Sequence, residues 1–523
     1  MKLLRRAVSA CSLACALALV TSATAVAAIT PVLISGPSPY AACSKFDNSL
    51  TGRTYLNAEV EPQVAVSGST AIAMFHQDRK SNGGAHGIGV GFSTDGGATW
   101  TELPSTGLPL TACSPNVQQA LAGMFRASDP WVSIGPDGIA YASALSFNVS
   151  VPNFDNAVVA ARSGDGGASW DHITPISGIL NAQNSTDKNS TTADPSLNKT
   201  AYTVWDTLTT PTDNPDDNPH TAAYTGPAFF SKTTDGGKTW SSPQIIVNTA
   251  TRQQTIGNII VVDPRPGHHT LYNFTDLIVP PNTLFQGRHT NEQVAFVKST
   301  DGGDTWTLPQ IIAPFNSVGV HNPNTGQAAR VGDGLEEVAI DPSNGKLYVV
   351  WESSSMFGKS TNQLQWDDEV MLATSADGGS TWTGPSVIRK LANDMPTFTP
   401  TVAVNGGRVA VTYYDNRNLQ PGQTANWPTD YWVSYSTDGG ATFGNEQHIV
   451  GSFDLSTAPV ARGFFLGDYE GLQPSGSGFL AVFAKTNCDA PYPASNPLCA
   501  PASSNLTPTS NTNPNDVFSA QLS

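Results

Sequence analysis

An eight-residue turn recurs six times in this 523-residue chain, and nothing else in the sequence restricts its fold as much. The copies are Ser93-Thr-Asp-Gly-Gly-Ala-Thr-Trp100, Ser163-Gly-Asp-Gly-Gly-Ala-Ser-Trp170 and Thr233-Thr-Asp-Gly-Gly-Lys-Thr-Trp240. Ser299-Thr-Asp-Gly-Gly-Asp-Thr-Trp306, Ser375-Ala-Asp-Gly-Gly-Ser-Thr-Trp382 and Ser436-Thr-Asp-Gly-Gly-Ala-Thr-Phe443 follow, and successive copies start 61 to 76 residues apart. Each has the chemistry of a tight hairpin. Its Asp accepts from nearby backbone N–H groups, its paired glycines take positive φ, and its closing aromatic packs between neighbouring repeats. The six Asp residues are structural on this reading.

An alternating apolar run precedes each copy, for example Gly87-Ile-Gly-Val-Gly-Phe92 and Glu369-Val-Met-Leu-Ala373. Two more runs lie ahead of it, such as Glu61-Pro-Gln-Val-Ala-Val66 and Ala71-Ile-Ala-Met-Phe75, and the segment after the aromatic supplies a fourth strand. Short four-stranded units at a fixed period predict an all-β chain, a β-propeller of four-stranded blades occupying 29–523 as one domain. A seventh blade can be assembled without a turn motif from Tyr469–Gln473, Gly478–Phe483, Asp516–Leu522 and, from the other end of the chain, Thr30–Ser35. Seven blades close the ring; six blades with an accessory strand pair are the alternative. Residues 206–226 and 486–515, rich in Pro, Asn, Thr or Ser, read as loop insertions. The first strands of the third and fourth units are expected at Asp194-Pro-Ser-Leu197 and Ile259–Val262.

The formal charge of −16 argues against a nucleic-acid groove or an anionic membrane surface as partner. Residues 1–28 read as a secretory signal: Lys2, Arg5 and Arg6, then apolar Ala7–Val20, then Ala25-Val26-Ala27 for cleavage. The expected location is therefore secreted or periplasmic, with no membrane span in the mature chain. Four cysteines then remain, and an even number in an exported chain fits two disulfides. The short Cys488–Cys499 loop is the favoured pair, which leaves Cys43 with Cys113. No Cys/His metal spacing is present, so zinc is not expected and no cofactor is required.

The six boxes resemble those of the sialidase-like Asp-box (BNR repeat) propellers over nearly the whole mature chain. That resemblance implies an inert face at the boxes and chemistry on the opposite face. It further implies three arginines that grip a sugar carboxylate, a nucleophilic Tyr paired with a Glu, and an Asp as acid/base. Tyr469 falls where the nucleophile is expected, and Glu337 (or Glu336) resembles the Glu that activates it. Asp129 or Asp468 would serve as acid/base, and Arg79 matches an arginine commonly found at its position. The arginine triad, however, is incomplete. Val60-Glu61-Pro62 stands where the first arginine belongs, Glu352 falls near the second, and Arg417 is the candidate third. Glutamate in place of arginine repels sialic acid, so the resemblance implies a glycoside hydrolase with a non-standard site.

Acidic residues cluster where strands are expected to begin: Glu61, Asp129, Asp194, Asp263, Glu336, Glu337, Asp468 and Glu470. They can be turn openings, a glycosidase pair with split pKa values, or ligands for a hard cation such as a structural Ca²⁺. Asp415 and Arg417, beside Tyr413 and Tyr414, suit a sugar ring or equally an ordinary solvated turn. His268, His269 and His321 read as surface loop residues. The function expected is that of an exported carbohydrate-active protein acting on a glycan or polysaccharide. A non-catalytic glycan- or protein-binding propeller and a polysaccharide lyase are the alternatives.

Overall fold

The computed structural model describes residues 29–43, 52–103, 107–149, 154–212, 224–279, 292–332, 335–355, 368–391, 395–489, 499 and 514–523. The signal at 1–28 lies outside them. Among the described residues no helix is long and apolar enough to cross a membrane.

Each of the six boxes closes the hairpin between the third and fourth strands of an antiparallel unit, named here sheets I to VI. Sheet I is Val60–Ser67, Thr70–Arg79, Ala85–Ser93 and Thr101–Glu102; sheet II is Arg126–Ile134, Ala140–Phe147, Asn156–Ser163 and Asp171–Pro175. The single pair Ala85↔Ala127 bridges these two. Sheet III is Asn184–Ala193, Ala201–Thr209, Ala228–Thr233 and Gln244–Val247, and sheet IV is Gln254–Val262, Leu271–Ile278, Glu292–Ser299 and Gln310–Phe315. Sheet V comprises Glu337–Ile340, Leu347–Ser353, Glu369–Ser375 and Thr383–Val387. Sheet VI comprises Thr397–Asn405, Arg408–Asp415, Pro428–Ser436 and Gly444–Asp454.

Sheet VII draws on both ends of the chain. Gly471–Ser475, Gly478–Thr486 and Asn515–Leu522 are followed by Val32–Leu33, paired Val32↔Ser519 and Leu33↔Phe518. The first strand of each sheet touches the first strand of the next, from I through to VII, and that of VII touches that of I.

The box geometry explains why its residues recur. Ser93 Oγ donates to Asp95 Oδ1 at 2.7 Å, and the Thr99 amide and hydroxyl donate to the two Asp95 oxygens at 2.9 and 2.6 Å. Those bonds from Thr99 hold the Asp95 carboxyl down at about 2. The second glycine faces the preceding sheet: a Cβ on Gly97 would lie 2.9 Å from Leu480, and one on Gly303 would lie 2.5 Å from Phe230. Trp306, closing the same box as Gly303, packs edge-on against Phe230 with ring centroids 5.4 Å apart. Gly303 also sits at φ 90°. Gly303→Ala therefore combines backbone strain with overpacking, and should cost about 2–4 kcal/mol in denaturant titration. A loss below 1 kcal/mol would show that the sheets do not seat on their box glycines.

Three expectations need correction. Asp194 and Asp263 do not open inner strands. Asp194 Oδ1 accepts from the Ser196 and Leu197 amides at 2.9 Å, so Asp194-Pro195 makes the turn after Asn184–Ala193. Asp263 likewise follows Gln254–Val262, where it holds Arg265. His321 is not a loop residue. Val320–His321, Ala328–Arg330 and Phe464–Phe465 form an additional small sheet, whose Ala329↔Phe464 pairing is parallel. His269 is half-buried, its Nε2 2.6 Å from Asp194 Oδ2.

The two loop insertions are narrower than 206–226 and 486–515. The bridge Thr209↔Thr225 and the pair Thr486↔Asn515 form their necks. Both disulfides form as paired from the sequence, Cys43–Cys113 and Cys488–Cys499, with Cα separations of 5.4 and 5.3 Å.

Candidate functional site

Five of the seven inner strands share one irregularity. Their register shifts between Val60 and Gln63, Ser128 and Trp131, Asp187 and Ser190, Ile256 and Ile259, and Phe398 and Thr401. Inside these bulges lie left-handed residues: Glu61 at φ 54°, Asp129 at 52°, Lys188 at 36°, Gly257 at 77° and Thr399 at 49°. A non-glycine residue there costs about 1–2 kcal/mol, so the surroundings must hold it. The preceding sheet does so. His76 Nε2 accepts the Asp129 amide at 2.9 Å, and Glu352 Oε1 accepts the Thr399 amide at 2.7 Å. Glu352, where the resemblance places an arginine, is thus the acceptor that anchors sheet VI's bulge.

Around these bulges the residues Glu61, His76, Arg79, Asp129, Lys188, Glu337 and Tyr469 are buried. Tyr469 and Trp131 pack with ring centroids 5.5 Å apart. The Lys188 ammonium lies 3.8 Å from the Tyr469 ring centroid and 4.5 Å from that of Trp131. Glu61 Oε2 lies 2.8 Å from His76 Nε2. Asp468 receives the Arg330 guanidinium, Nε to Oδ1 at 3.1 Å, and Arg330 arrives on the small additional sheet. Arg330 and Arg79 lie over the ring of Phe465, at 4.4 and 4.8 Å.

Burial sets the proton affinities. It pushes the Glu337 carboxyl up to about 8. It raises Asp468 to about 6, against the pull of Arg330. Asp129 is raised by burial and by Glu61, and Glu336 chiefly by burial. Burial, with Arg79, keeps the His76 imidazole neutral by lowering its pKa. Burial and the surrounding carboxylates raise Tyr469, so its phenol is held neutral.

Of the residues singled out in the sequence, Tyr469, Asp129, Asp468, Glu337 and Arg79 belong to this region. Tyr469 donates to the Pro130 carbonyl at 3.4 Å and makes no hydrogen bond to Glu337. Asp415, Arg417 and Tyr414 do not join it. Arg417 binds Asp415 Oδ2 at 2.7 Å and both Glu446 oxygens at 2.7 and 2.8 Å, stacked 3.7 Å over Trp432. Tyr414 donates toward Glu470 Oε1 at 2.7 Å and the Ala484 carbonyl at 2.6 Å, locking sheet VI to sheet VII. Arg79, besides its ring contact, donates to the Gly84 carbonyl at 2.8 Å.

His76, Lys188, Trp131 and Arg330 escaped the sequence reading. Lys188 lies in Asn184-Ser-Thr-Asp-Lys-Asn-Ser-Thr-Thr-Ala193, which lacks any apolar alternation to mark it as an inner strand.

Residues 228–451, which carry four of the six boxes, match the family model described as a BNR repeat-like domain. That match supports the BNR-repeat reading of the boxes within those residues. No curated protein matches the chain. Among solved structures it is similar to the phage phi92 endosialidase at 12% identity and a TM-score of 0.46, over 94% of this chain and 69% of that one. It is similar to a Hadza microbial sialidase at 14% identity and 0.40, over 79% and 70%. A third likeness is to an α-L-arabinofuranosidase from Fusarium graminearum, at 14% and 0.41, over 73% and 92%.

Proposed function

We propose that the chain is an exported glycoside hydrolase of the sialidase-like kind, a closed seven-bladed propeller whose centre uses carboxyl groups where an arginine triad would stand. The contact between the first strands of sheets VII and I supports ring closure. The two disulfides are compatible with export. One observation carries the catalytic reading: Glu337 and Asp468 both bear on Tyr469, and their environments set them at about 8 and about 6. Two carboxyls driven apart in this way are suited to acid and base roles.

At neutral pH Glu337 keeps its proton and is the donor to a leaving glycosidic oxygen. Asp468, ionised and held by Arg330, is the base or nucleophile. Tyr469, neutral and turned toward Pro130, then lines the site with Trp131, and Asp129 and Arg79 form its wall. Asp415, Arg417 and Tyr414 have no sugar contact on this reading. A glycan-binding role without turnover is the second reading, favoured by the burial of Tyr469, 1% exposed.

A panel of aryl glycosides, sialosides and arabinosides separates the two. Glu337→Gln should lower turnover of the responsive substrate by about 10²–10⁴-fold, and Tyr469→Phe by less than about tenfold. Glycan capture on an array with no turnover by the unaltered protein would replace hydrolysis with binding. Failure of both would reject a carbohydrate role.

A further inference from the structure

We propose that Asp187, backed by Asp206, selects the glycan at the centre: it accepts from a hydroxyl of an uncharged sugar and turns acidic sugars away. This inference rests on the carbohydrate reading above, in either its hydrolytic or its binding form.

Asp187 differs from the strand it sits on. Lys188, Asn189, Ser190 and Thr191 are buried after it, whereas its own side chain is exposed. Glu61, His76, Arg79, Asp129, Glu337 and Tyr469 are buried as well. Arg330 and Asp468 are partly exposed, but they are occupied with each other. Asp187 is therefore the carboxyl that a ligand reaches first. The Lys188 amide donates to Asp187 Oδ1 at 2.9 Å, the only hydrogen bond this carboxyl accepts among the described residues. One oxygen is held and the other is open to a sugar hydroxyl.

A second observation points to a ligand. Asp187 stands directly opposite Asp206 on the neighbouring strand, and like charges so placed cost a sheet stability. Asp206 Oδ1 has no hydrogen-bond partner, in a side chain only 3% exposed. Lys188 Nζ, over the rings of Tyr469 and Trp131, is also buried without an acceptor. Unmatched polar groups beside one exposed carboxyl suit a site that an outside molecule completes.

The surroundings decide which sugar is admitted. Asp129, Asp468 and Arg330 act on the Asp187 charge, and Asp206 adjoins it. Burial, then Asp129, pushes the Asp187 carboxyl up to about 7. Burial, then Asp187 itself, raises Asp206 far more, so Asp206 keeps its proton while Asp187 titrates. A hydroxyl is bonded by either form of Asp187. A sugar carboxylate is repelled by the ionised form alone, above about 7.

The test uses the full mature chain and matched glycans, one uncharged and one bearing a carboxylate on the same sugar, read by capture and turnover. The uncharged glycan should be preferred at pH 8, and the preference should shrink as pH falls through about 7. Asp187→Ala should weaken the uncharged glycan by about tenfold or more. Asp187→Asn should restore much of that binding yet lose the pH-dependent preference. Asp206→Asn should move the midpoint of the preference to lower pH. Because each Asp187 variant removes an opposed like charge, neither should melt below the unaltered chain at pH 8. Undiminished binding by Asp187→Ala, or a preference that survives Asp187→Asn, overturns this proposal and leaves the carbohydrate reading standing. Weak binding with a much lower melt makes Asp187 structural and overturns it too. A midpoint unmoved by Asp206→Asn overturns the pairing with Asp206. No capture or turnover of any glycan by the unaltered protein overturns both readings.

Discussion

Removal of Asn515–Ser523 is expected to leave the chain unable to fold. That strand lies between Gly478–Thr486 and Val32–Leu33, so its loss strips sheet VII of its third strand and the N-terminal strand of its only named partner strand. Val517 and Leu522 are buried at 0% and 2% exposure, and each such side chain contributes about 1.5–3 kcal/mol. Phe479, Val482 and Phe483, buried on the strand paired to the lost one, lose their neighbours on that side as well. The sum rivals the roughly 5–15 kcal/mol that holds a typical domain together. The newly opened edge would also template aggregation. The expected outcome is insoluble protein, or soluble protein without a cooperative melt by circular dichroism. Leu522→Ala, a milder form of the same change, should cost about 2–5 kcal/mol. A truncated chain that melts like the intact one would show that sheet VII is not part of the folding unit.

Arg330→Met carries the second large effect, and it depends on pH. Arg330 and Asp468 are 22% and 16% exposed, and removing one partner of a largely buried ion pair costs about 3–5 kcal/mol. In the folded chain Asp468 already sits at about 6, above the ordinary carboxylate value. A carboxyl raised on folding contributes fully below its unfolded pKa, and that contribution is lost as pH rises through the folded one. Without Arg330 the folded value climbs further, so the loss deepens toward high pH. At pH 4, where Asp468 is protonated in both proteins, the variant should fall little below the unaltered chain. At pH 8 it should fall by the full amount. A deficit that is the same at both pH values would assign the role of Arg330 to its packing on Phe465.

Much of this fold was legible from one motif, because the box specifies its own turn. Ser93, Asp95, Gly97 and Thr99 satisfy one another locally, so no distant residue is needed to recognise them. Sheet VII was legible for a different reason: Gly478-Phe-Leu-Ala-Val-Phe483 and Asp516-Val-Phe-Ser-Ala-Gln-Leu522 keep the strand pattern without a box. The inner strand of sheet III was not, since Asn184–Ala193 is polar up to its last residue; Asn189, Ser190 and Thr192 bond across to neighbouring sheets, and Lys188 stacks on Trp131 and Tyr469.

The site was legible only in part, and for a related reason. Asp129, Asp468, Glu337 and Tyr469 stood out as polar residues at the heads of apolar strands. Asp415 and Arg417 looked equally suited to a ligand, yet Glu446, in the fourth strand of the same sheet, takes up the guanidinium. Arg330 reaches Asp468 only through a parallel pairing between segments more than a hundred residues apart, which no local pattern announces.

The measurement closest to the central claim is the pH dependence of kcat/KM on whichever glycoside of the panel is turned over. Asp468 must be ionised and Glu337 protonated, so the rate should rise through about 6 and fall through about 8. Glu337→Gln should abolish the alkaline limb along with most of the activity. A rate that stays level from pH 5 to pH 9, or an alkaline limb that survives Glu337→Gln, would contradict the assignment of these two carboxyls.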